Sequence, residues 1–366
     1  MNDQRTKLRF HPLRERENRV RVSPDFVGPA DAPDEMPEGT HAVIAETARR
    51  LREARERGAA RMISFGAHAI KNGLGPVLIR LMEEGWLTHL ATNGAGIIHD
   101  WEFAYLGESS EHVERNVARG EFGMWEETGR YINMAIACGA WSGLGYGESI
   151  GKMIDTELLR VPSIHDLKEF IVNDGTAHPE RLAATAELLE LESRTTIEPG
   201  ELNIPHPHKA ISVQAAAFRL GLPCTGHPMI GHDIIYLHPA NHCALLGRAA
   251  ERDFLRFARS VSDLSGGVYM SIGSAVMSPM IFEKSMSMAQ NLALQEGRRI
   301  EGHFIVVADL AKAGWDWSKG EPPEDHPDYY LRFNKTFARM GGELRYVSCD
   351  NRDFLLALYR ELKGAS

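Results

Sequence analysis

Short apolar segments alternate with helical patterns along most of this 366-residue chain. Each apolar segment is as long as a strand, and most of them run into a loop that contains glycine or aspartate. Strands that are apolar throughout and alternate with helices are typical of a parallel sheet. The pattern therefore predicts an α/β fold with a mostly parallel sheet and helices on both faces. The predicted strands are RMISFG, LTHLATNG, LPCTG, HDIIYLH, GGVYMSIGSA, HFIVVAD and GELRYVSCD.

Two parts of the chain depart from this alternation. Residues 1–38 are basic at first and then rich in Pro, Asp and Gly, which predicts an N-terminal arm before the first helix. Residues from about 150 to 200 carry long helical patterns such as ERLAATAELLELESR and no strand pattern, which predicts a helical insertion. We therefore expect a single α/β domain over residues 39–366, interrupted by that insertion.

The composition excludes several classes of protein. With 41 basic and 50 acidic residues the net charge is −9, which argues against a nucleic-acid or membrane-surface binder and suits a small or cationic ligand. The four cysteines are far apart, so neither a zinc ribbon nor a disulfide scaffold is indicated. The charged N-terminus lacks the apolar core of a signal peptide, and no stretch reaches the ~18 apolar residues of a spanning helix. We expect a cytoplasmic protein.

Small residues follow four of the predicted strands. Ligands of open parallel sheets bind at the carboxyl ends of the strands, where small residues let the backbone approach phosphate groups. One such loop is more often a plain turn, but four at one sheet edge indicate a binding site. None has the spacing of the standard dinucleotide or P-loop fingerprint. The four loops are SFGAHAIKNG, ATNGAGIIHD, CTGHPMIGHD and SIGSAVMSP.

Histidines and acids cluster near these loops. The chain has 16 histidines, and six of them fall between residues 206 and 242, but their spacing matches no tight metal-ligand motif. We expect no metal, although a metal-dependent hydrolase or lyase stays an alternative. Acids flanked by tryptophans are suited to hold a cationic amine. The acids are Asp100, Glu102, Asp233, Asp309, Asp316 and Asp350, and the tryptophans are Trp101, Trp315 and Trp317.

Over residues 60 to 360, the order of segments resembles the deoxyhypusine synthase family. AHAIKNGLGPVLIRLMEEGWLTHLATNGAGIIHD resembles its first nucleotide-binding βαβ piece, and AAAFRLGLPCTGHPMIGHDIIYLHP resembles its segment leading to Gly-Asp. FARSVSDLSGGVYMSIGSAVMSPMI is similar to the helix, strand and glycine turn that follow. The most specific match is HPDYYLRFNK: the family has Pro-Asp, six residues and its catalytic lysine, and here Lys335 follows Pro327 and Asp328 at that spacing.

The resemblance implies a Rossmann-like fold that binds NAD, and a homotetramer with its sites at subunit interfaces. It also implies that Lys335 is catalytic and forms an imine with an amine substrate. An imine needs a partly deprotonated amine, whereas an ordinary lysine has a pKa of ~10.4. We expect Tyr329, Tyr330 and Phe333 to lower this pKa by desolvation. The implied substrate-binding residues are Asp100, Glu102, Asp233, Trp315 and Asp328, and the implied cofactor-binding residues are Asn72, Gly73, Thr92, Asn93, Gly94, Gly273, Ser274, Asp309 and Asp350.

The predicted function is therefore that of an NAD-dependent aminoalkyl transferase acting on an amine or polyamine. A small-molecule acceptor is favoured over a protein, because the family's pocket histidine is replaced near Pro279 and a helical insertion separates the two halves. A protein that binds NAD without catalysis is a further alternative.

Overall fold

The computed structural model describes residues 4–195 and 198–364, and these form two compact units. The sheet unit comprises residues 25–96, 220–225 and 254–364. The helical unit comprises residues 4–24, 97–219 and 226–253. That residues 39–366 form a single domain stays a prediction.

Ten strands and fifteen α-helices are assigned among the described residues. The strands are β1 (Asn18–Arg21), β2 (Arg61–Phe65), β3 (His89–Asn93), β4 (Glu108–Glu111), β5 (Leu158–Val161), β6 (Gly200–Asn203), β7 (Cys224–His227), β8 (Val268–Ile272), β9 (Phe304–Asp309) and β10 (Glu343–Ser348). The helices are α1 (Val22–Asp25), α2 (Thr40–Glu56), α3 (Ala67–Lys71), α4 (Gly75–Glu83), α5 (Gly94–Leu106), α6 (Val113–Arg119), α7 (Glu126–Trp141), α8 (Tyr146–Thr156), α9 (Ile164–Asn173), α10 (Pro179–Arg194), α11 (Val213–Arg219), α12 (Cys243–Ser262), α13 (Met277–Gln295), α14 (Arg332–Ala338) and α15 (Asn351–Gly364).

Six strands form one sheet in the order β10-β9-β8-β2-β3-β7. β2 pairs in parallel with β3 and β8, and β9 pairs in parallel with β8 and β10. Counted along the chain, this is the order 6-5-4-1-2-3 of a doubly wound fold. The prediction of an α/β, Rossmann-like fold with a mostly parallel sheet flanked by helices is confirmed.

Aromatic side chains fill the core of the sheet unit beside its central strands. Every residue of β2 and β8 is buried, as expected for strands covered on both faces. Tyr269 on β8 stacks on Phe282 with ring centroids 4.2 Å apart, and Phe337 lies 5.7 Å from Phe282. The Tyr269 hydroxyl donates to Ser64 Oγ (2.7 Å) and lies 2.8 Å from Ser278 Oγ. The buried Tyr269 hydroxyl is thus hydrogen-bonded, as most buried polar groups are.

The helical unit contains the predicted insertion and two small sheets. Its α9 begins with a capping box in which the Ser163 side chain accepts the Asp166 N–H and Asp166 accepts the Ser163 N–H. β5 and β6, which flank α9 and α10, form an antiparallel pair that the sequence pattern did not predict. Four-residue strands are too short to show an alternation. Thr196 and Ile197, within the predicted insertion, lie outside the described residues.

Two other segments differ from their predictions. The predicted N-terminal arm contains β1, which pairs antiparallel with β4. HDIIYLH, predicted as a strand, contains the 3-10 helix Ile234–Leu237. The Asn133 side chain donates to the Ile235 carbonyl (2.9 Å), so this buried backbone group is satisfied without a strand partner. Among the described helices, none is both long and apolar enough to cross a bilayer.

Candidate functional site

β2 and β8 end side by side at the point where the strand order reverses. Gly66 follows β2, and a Cβ built on it would lie 2.2 Å from the carbonyl oxygen of Gly273, which follows β8. No side chain fits at Gly66. Gly273 has a φ of +56°, in the left-handed region that favours glycine. The two turns are therefore in direct backbone contact, at the position where doubly wound sheets bind ligands.

Polar side chains surround these two turns. Asn72 Nδ2 donates to Asn351 Oδ1 (2.7 Å) and lies 3.5 Å from Asp350 Oδ1. Asn351 Nδ2 would lie 3.3 Å from a Cβ on Gly273. Burial lowers the pKa of His68 below its usual value, and the nearby Asp350 opposes this shift only in part. Asn72, Gly273 and Asp350, three of the predicted cofactor residues, are thus brought together.

A further cofactor candidate, Asp309, lies at the end of the strand that neighbours the one before Asp350. Asp309 at the end of β9 accepts the Ala311 N–H at Oδ1 (3.0 Å), and Asp350 after β10 accepts the Arg352 N–H at Oδ1 (2.8 Å). Both side chains are half-buried. The hydrogen bonds found among the described residues use the Oδ1 atom of each aspartate. Each aspartate therefore shapes its loop with one oxygen, and its cofactor role stays a prediction.

The predicted cofactor residues at the end of β3 hold their own turn. Thr92 Oγ1 donates to the Phe65 carbonyl (2.9 Å), and a Cβ on Gly96 would lie 2.1 Å from that hydroxyl. Asn93 Oδ1 accepts the Gly96 N–H (2.9 Å) beside Gly94, where α5 begins. These contacts bring the start of α5 close to the end of β2.

Gly73 and Ser274 also serve local structure. Gly73 has a φ of +74°, and a Cβ there would lie 2.5 Å from the Cα of Phe26. Ser274 Oγ accepts the Ser278 N–H (3.3 Å) near the start of α13. Ser274 lies beside Gly273 at the strand reversal, whereas Gly73 is required by backbone packing.

The prediction that desolvation lowers the pKa of Lys335 is wrong. Its Nζ lies 3.1 Å from Glu321 Oε1 and 3.2 Å from the centre of the Tyr329 ring. Burial favours a lower pKa, but Tyr329 and Glu321 outweigh it and raise the pKa of the Lys335 amine. Tyr330 is 79% exposed and cannot desolvate the amine. Lys335 is therefore a protonated, ion-paired lysine, and its catalytic role stays a prediction without support from this geometry.

Asp328 and Trp315 form a turn rather than a cation-binding wall. Asp328 Oδ2 accepts the N–H groups of Gly314 (2.6 Å) and Trp315 (2.7 Å). The Trp315 indole donates to the Gly320 carbonyl (2.9 Å), and its ring meets His326 edge-on at 5.2 Å. Their known contacts are therefore structural, and their substrate role stays a prediction.

Asp100 is fully buried in the helical unit and its oxygens are already used. It accepts the Ser212 hydroxyl (2.6 Å) and the backbone N–H groups of Val213 (2.9 Å) and Gln214 (3.1 Å), together with the Gln214 side chain (3.0 Å). Burial raises the pKa of Asp100 despite these donors. The carboxylate caps α11, which leaves little acceptor capacity for an amine.

Glu102 is the centre of a buried ion pair. Arg16 donates to both of its oxygens (2.8 and 2.6 Å), and the hydroxyls of Ser109 (2.5 Å) and Thr128 (2.9 Å) complete the set. Burial opposes ionisation, but the Arg16 guanidinium outweighs it and lowers the pKa of Glu102. The acid anchors the N-terminal arm, so this contact too is structural.

Asp233 differs from the other predicted acids. Its Oδ2 is buried and has no hydrogen-bond partner among the described residues, and the same holds for the hydroxyls of Tyr146 and Tyr236. Burial raises the pKa of Asp233 to about 6. Burial, and after it the Asp233 charge, raises the pKa of both tyrosines, so the three groups interact electrostatically, and the Tyr236 N–H donates to the Asp233 carbonyl (3.2 Å). We call them the Asp233 cluster. No sequence pattern singled out either tyrosine.

The histidines do not converge. His238 Nε2 lies 3.3 Å from Glu126, and His242 Nε2 lies 2.7 Å from Glu190. Burial lowers the pKa of His227 to about 3. Within residues 4–195 and 198–364, no group of three His, Cys, Asp or Glu side chains could hold a metal ion. The metal-dependent alternative gains no support.

Comparison with known proteins adds solved structures only. No family model matches the chain, and no curated protein does. ArgZ, an arginine dihydrolase from the ornithine-ammonia cycle in cyanobacteria, is 14% identical over 89% of this chain and 33% of its own, with a TM-score of 0.44. The ternary complex of AgrE with ornithine and NAD+ is 15% identical over 91% of this chain and 34% of its own, with a TM-score of 0.44. A conserved LOR/SDH protein from Methanococcus maripaludis S2 is 13% identical over 92% of this chain and 74% of its own, with a TM-score of 0.45.

These structures correct the resemblance inferred from the sequence. The chain spans about a third of the length of ArgZ and AgrE. The matched structures are ArgZ, AgrE and a LOR/SDH protein rather than deoxyhypusine synthases, so the assignment to the deoxyhypusine synthase family is wrong. The transferase chemistry and the homotetramer followed from that assignment, and neither is confirmed.

Proposed function

We propose that the protein is an NAD-dependent enzyme that acts on a small amine-containing molecule, with the cofactor bound at the turns after β2 and β8. The observation that carries the proposal is the contact between Gly66 and Gly273 where the strand order reverses. A dinucleotide needs backbone there without side chains, so that its pyrophosphate can approach the amide groups.

The residues around these turns fit such a cofactor. The half-buried carboxylates of Asp309 and Asp350 suit ribose hydroxyls, which donate hydrogen bonds to acidic side chains in this class of fold. Asn72 holds the loop after α3 against Asn351 and so fixes the first turn. Bound NAD would supply a hydride acceptor, and the chain's own residues bind and orient it.

Two observations support an amine as the substrate. The net charge of −9 favours a cation over an anion. Asp233 carries a buried carboxylate oxygen without a partner among the described residues, which is costly unless a ligand pairs with it.

Asp350→Asn tests the nucleotide site. Asparagine keeps the N-cap of α15, so the melting temperature should stay near that of the wild type. Loss of the charge should weaken NAD binding by about tenfold or more in calorimetric titration, as expected for a charge-assisted hydrogen bond. Asp316→Asn, on a surface loop where Asp316 contacts Ser318, is the matched control and should bind NAD normally.

Unchanged NAD affinity in Asp350→Asn, or no NAD binding by the wild type, would rule out this site. NADH formation with a panel of small amines then separates an enzyme from a protein that binds NAD without catalysis.

A further inference from the structure

The Asp233 cluster contributes three of the buried oxygen atoms in the helical unit that have no hydrogen-bond partner among the described residues. Tyr146 is fully buried, and its hydroxyl has no hydrogen-bond partner among the described residues. Asp233 Oδ2 and the Tyr236 hydroxyl share this property. Buried polar groups are nearly always hydrogen-bonded, because an unsatisfied one costs about 1–3 kcal/mol. One ligand with several donors could supply partners to all three atoms.

The position of Tyr146 is set by its neighbours rather than by its hydroxyl. Asp253 Oδ2 accepts the N–H groups of Gly147 (2.9 Å) and Gly226 (2.7 Å), which joins the two chain segments beside the tyrosine. A Cβ on Gly226 would lie 2.8 Å from Tyr146 Cδ1, so the ring occupies the space that a side chain there would need. A Cβ on Gly145 would lie 1.8 Å from Asp253 Oδ1. The ring is held in place, while its hydroxyl is left for another role.

The chemistry of the three oxygens defines the ligand class. A carboxylate and two phenol oxygens can each accept a hydrogen bond, and a primary ammonium group has three N–H donors. The aromatic rings of Tyr146 and Tyr236 add a favourable environment for a cation. A hard metal ion needs about six oxygen ligands, more than this cluster offers. A quaternary ammonium has no N–H to donate.

We propose that Asp233, Tyr146 and Tyr236 bind the primary ammonium group of a small-molecule ligand in the helical unit. Asp233 provides the charge, and the two tyrosine hydroxyls select for N–H donors. Because Asp233 and Tyr236 are only partly buried, the cluster extends from the interior towards the surface. The proposal deepens the proposed function by naming how its amine would be recognised.

The test uses the full chain without NAD, so its outcome is separate from that of the nucleotide site. Butylammonium chloride is titrated in a calorimeter, with tetramethylammonium chloride and potassium chloride as comparators. We expect butylammonium to bind and the comparators not to. Asp233→Asn should weaken binding by about tenfold or more, and Tyr146→Phe and Tyr236→Phe by several-fold each.

Thermal melting without ligand separates a binding role from a structural one. Tyr146→Phe removes a hydroxyl without a partner, so the free protein should melt at the same temperature or higher. Tyr269→Phe is the matched control: its ring is equally buried, but its hydroxyl is bonded to Ser64 and Ser278, so this variant should melt lower and bind butylammonium normally.

Three results would overturn the proposal. The first is absence of butylammonium binding by the wild type, and the second is equal affinity for tetramethylammonium or potassium. The third is a Tyr146→Phe variant that melts as low as Tyr269→Phe and binds the amine as tightly as the wild type. NAD binding that persists in any of these cases leaves the nucleotide site in place.

Discussion

Gly66→Ala places a methyl group between the two turns of the proposed nucleotide site. The new Cβ would lie 2.2 Å from the Gly273 carbonyl oxygen, about 1.2 Å closer than the 3.4 Å at which ordinary contact begins. Both partners belong to the backbone, so no change of rotamer relieves the clash. Overpacking of a buried site costs about 1–3 kcal/mol. We expect the upper end, about 3 kcal/mol, because β2 and β8 must separate to accommodate the methyl group.

Urea unfolding of the wild type and Gly66→Ala measures this cost. Gly247→Ala is the matched control, since no atom lies within 4 Å of its new Cβ and alanine stabilises a helix interior by up to ~1 kcal/mol relative to glycine. The Gly66 variant should unfold at lower urea concentration and bind NAD more weakly, whereas the Gly247 variant should do neither. A Gly66→Ala protein as stable as the wild type would refute the close contact of the two turns.

Three other perturbations have defined outcomes. Arg16→Met leaves Glu102 buried without its cation, and its urea unfolding should show a loss of about 3–5 kcal/mol, part of which the Arg16→Met, Glu102→Leu double variant recovers. Lys335→Ala should change neither the melting temperature nor NAD affinity appreciably. In the wild type, borohydride reduction in the presence of NAD and putrescine should add no mass at Lys335. Burial raises the pKa of Asp233 to about 6, against the opposing charge of His232, so the ionised form of Asp233 lowers the stability of the free protein above that pH. Asp233→Asn should therefore raise the melting temperature at pH 8 and have less effect at pH 5. Amine binding by the wild type should weaken below pH 6, because Asp233 then loses its charge.

The sheet could be predicted from the sequence because its strands carry a strong local signal. β2 and β8 are buried along their whole length, so they appear as mostly apolar runs. The same signal failed for HDIIYLH, which is equally apolar but forms a 3-10 helix. Its Ile235 carbonyl accepts from the distant side chain of Asn133, a contact that no local pattern reveals. β1 and β4 were missed for a similar reason, since each has four residues and pairs across a long stretch of chain.

The candidate site was predicted less well, and Lys335 shows why. A match in spacing fixed the residue type and its position, but the pKa of an amine depends on groups that are distant in sequence. Glu321 lies 14 residues before Lys335 in the sequence, yet its carboxylate pairs with the Lys335 amine. The match in spacing had led us to expect a desolvated amine instead. Strand ends were a better guide, because in a parallel sheet they share one edge whatever the side chains do. Gly273, Asp309 and Asp350 follow three neighbouring strands for that reason.

Buried acids look alike in a sequence, and what distinguishes them is the number of donors that reach each oxygen. Asp100 accepts four hydrogen bonds, and Glu102 accepts four including two from a guanidinium, so each is satisfied by the chain itself. Asp233 has a buried oxygen with no donor among the described residues. A fold retains such a group at a cost in stability, and binding a ligand offsets that cost. Of these three acids, therefore, Asp233 is the one with a buried oxygen that the described residues leave unsatisfied, which is why we propose it as the ammonium site.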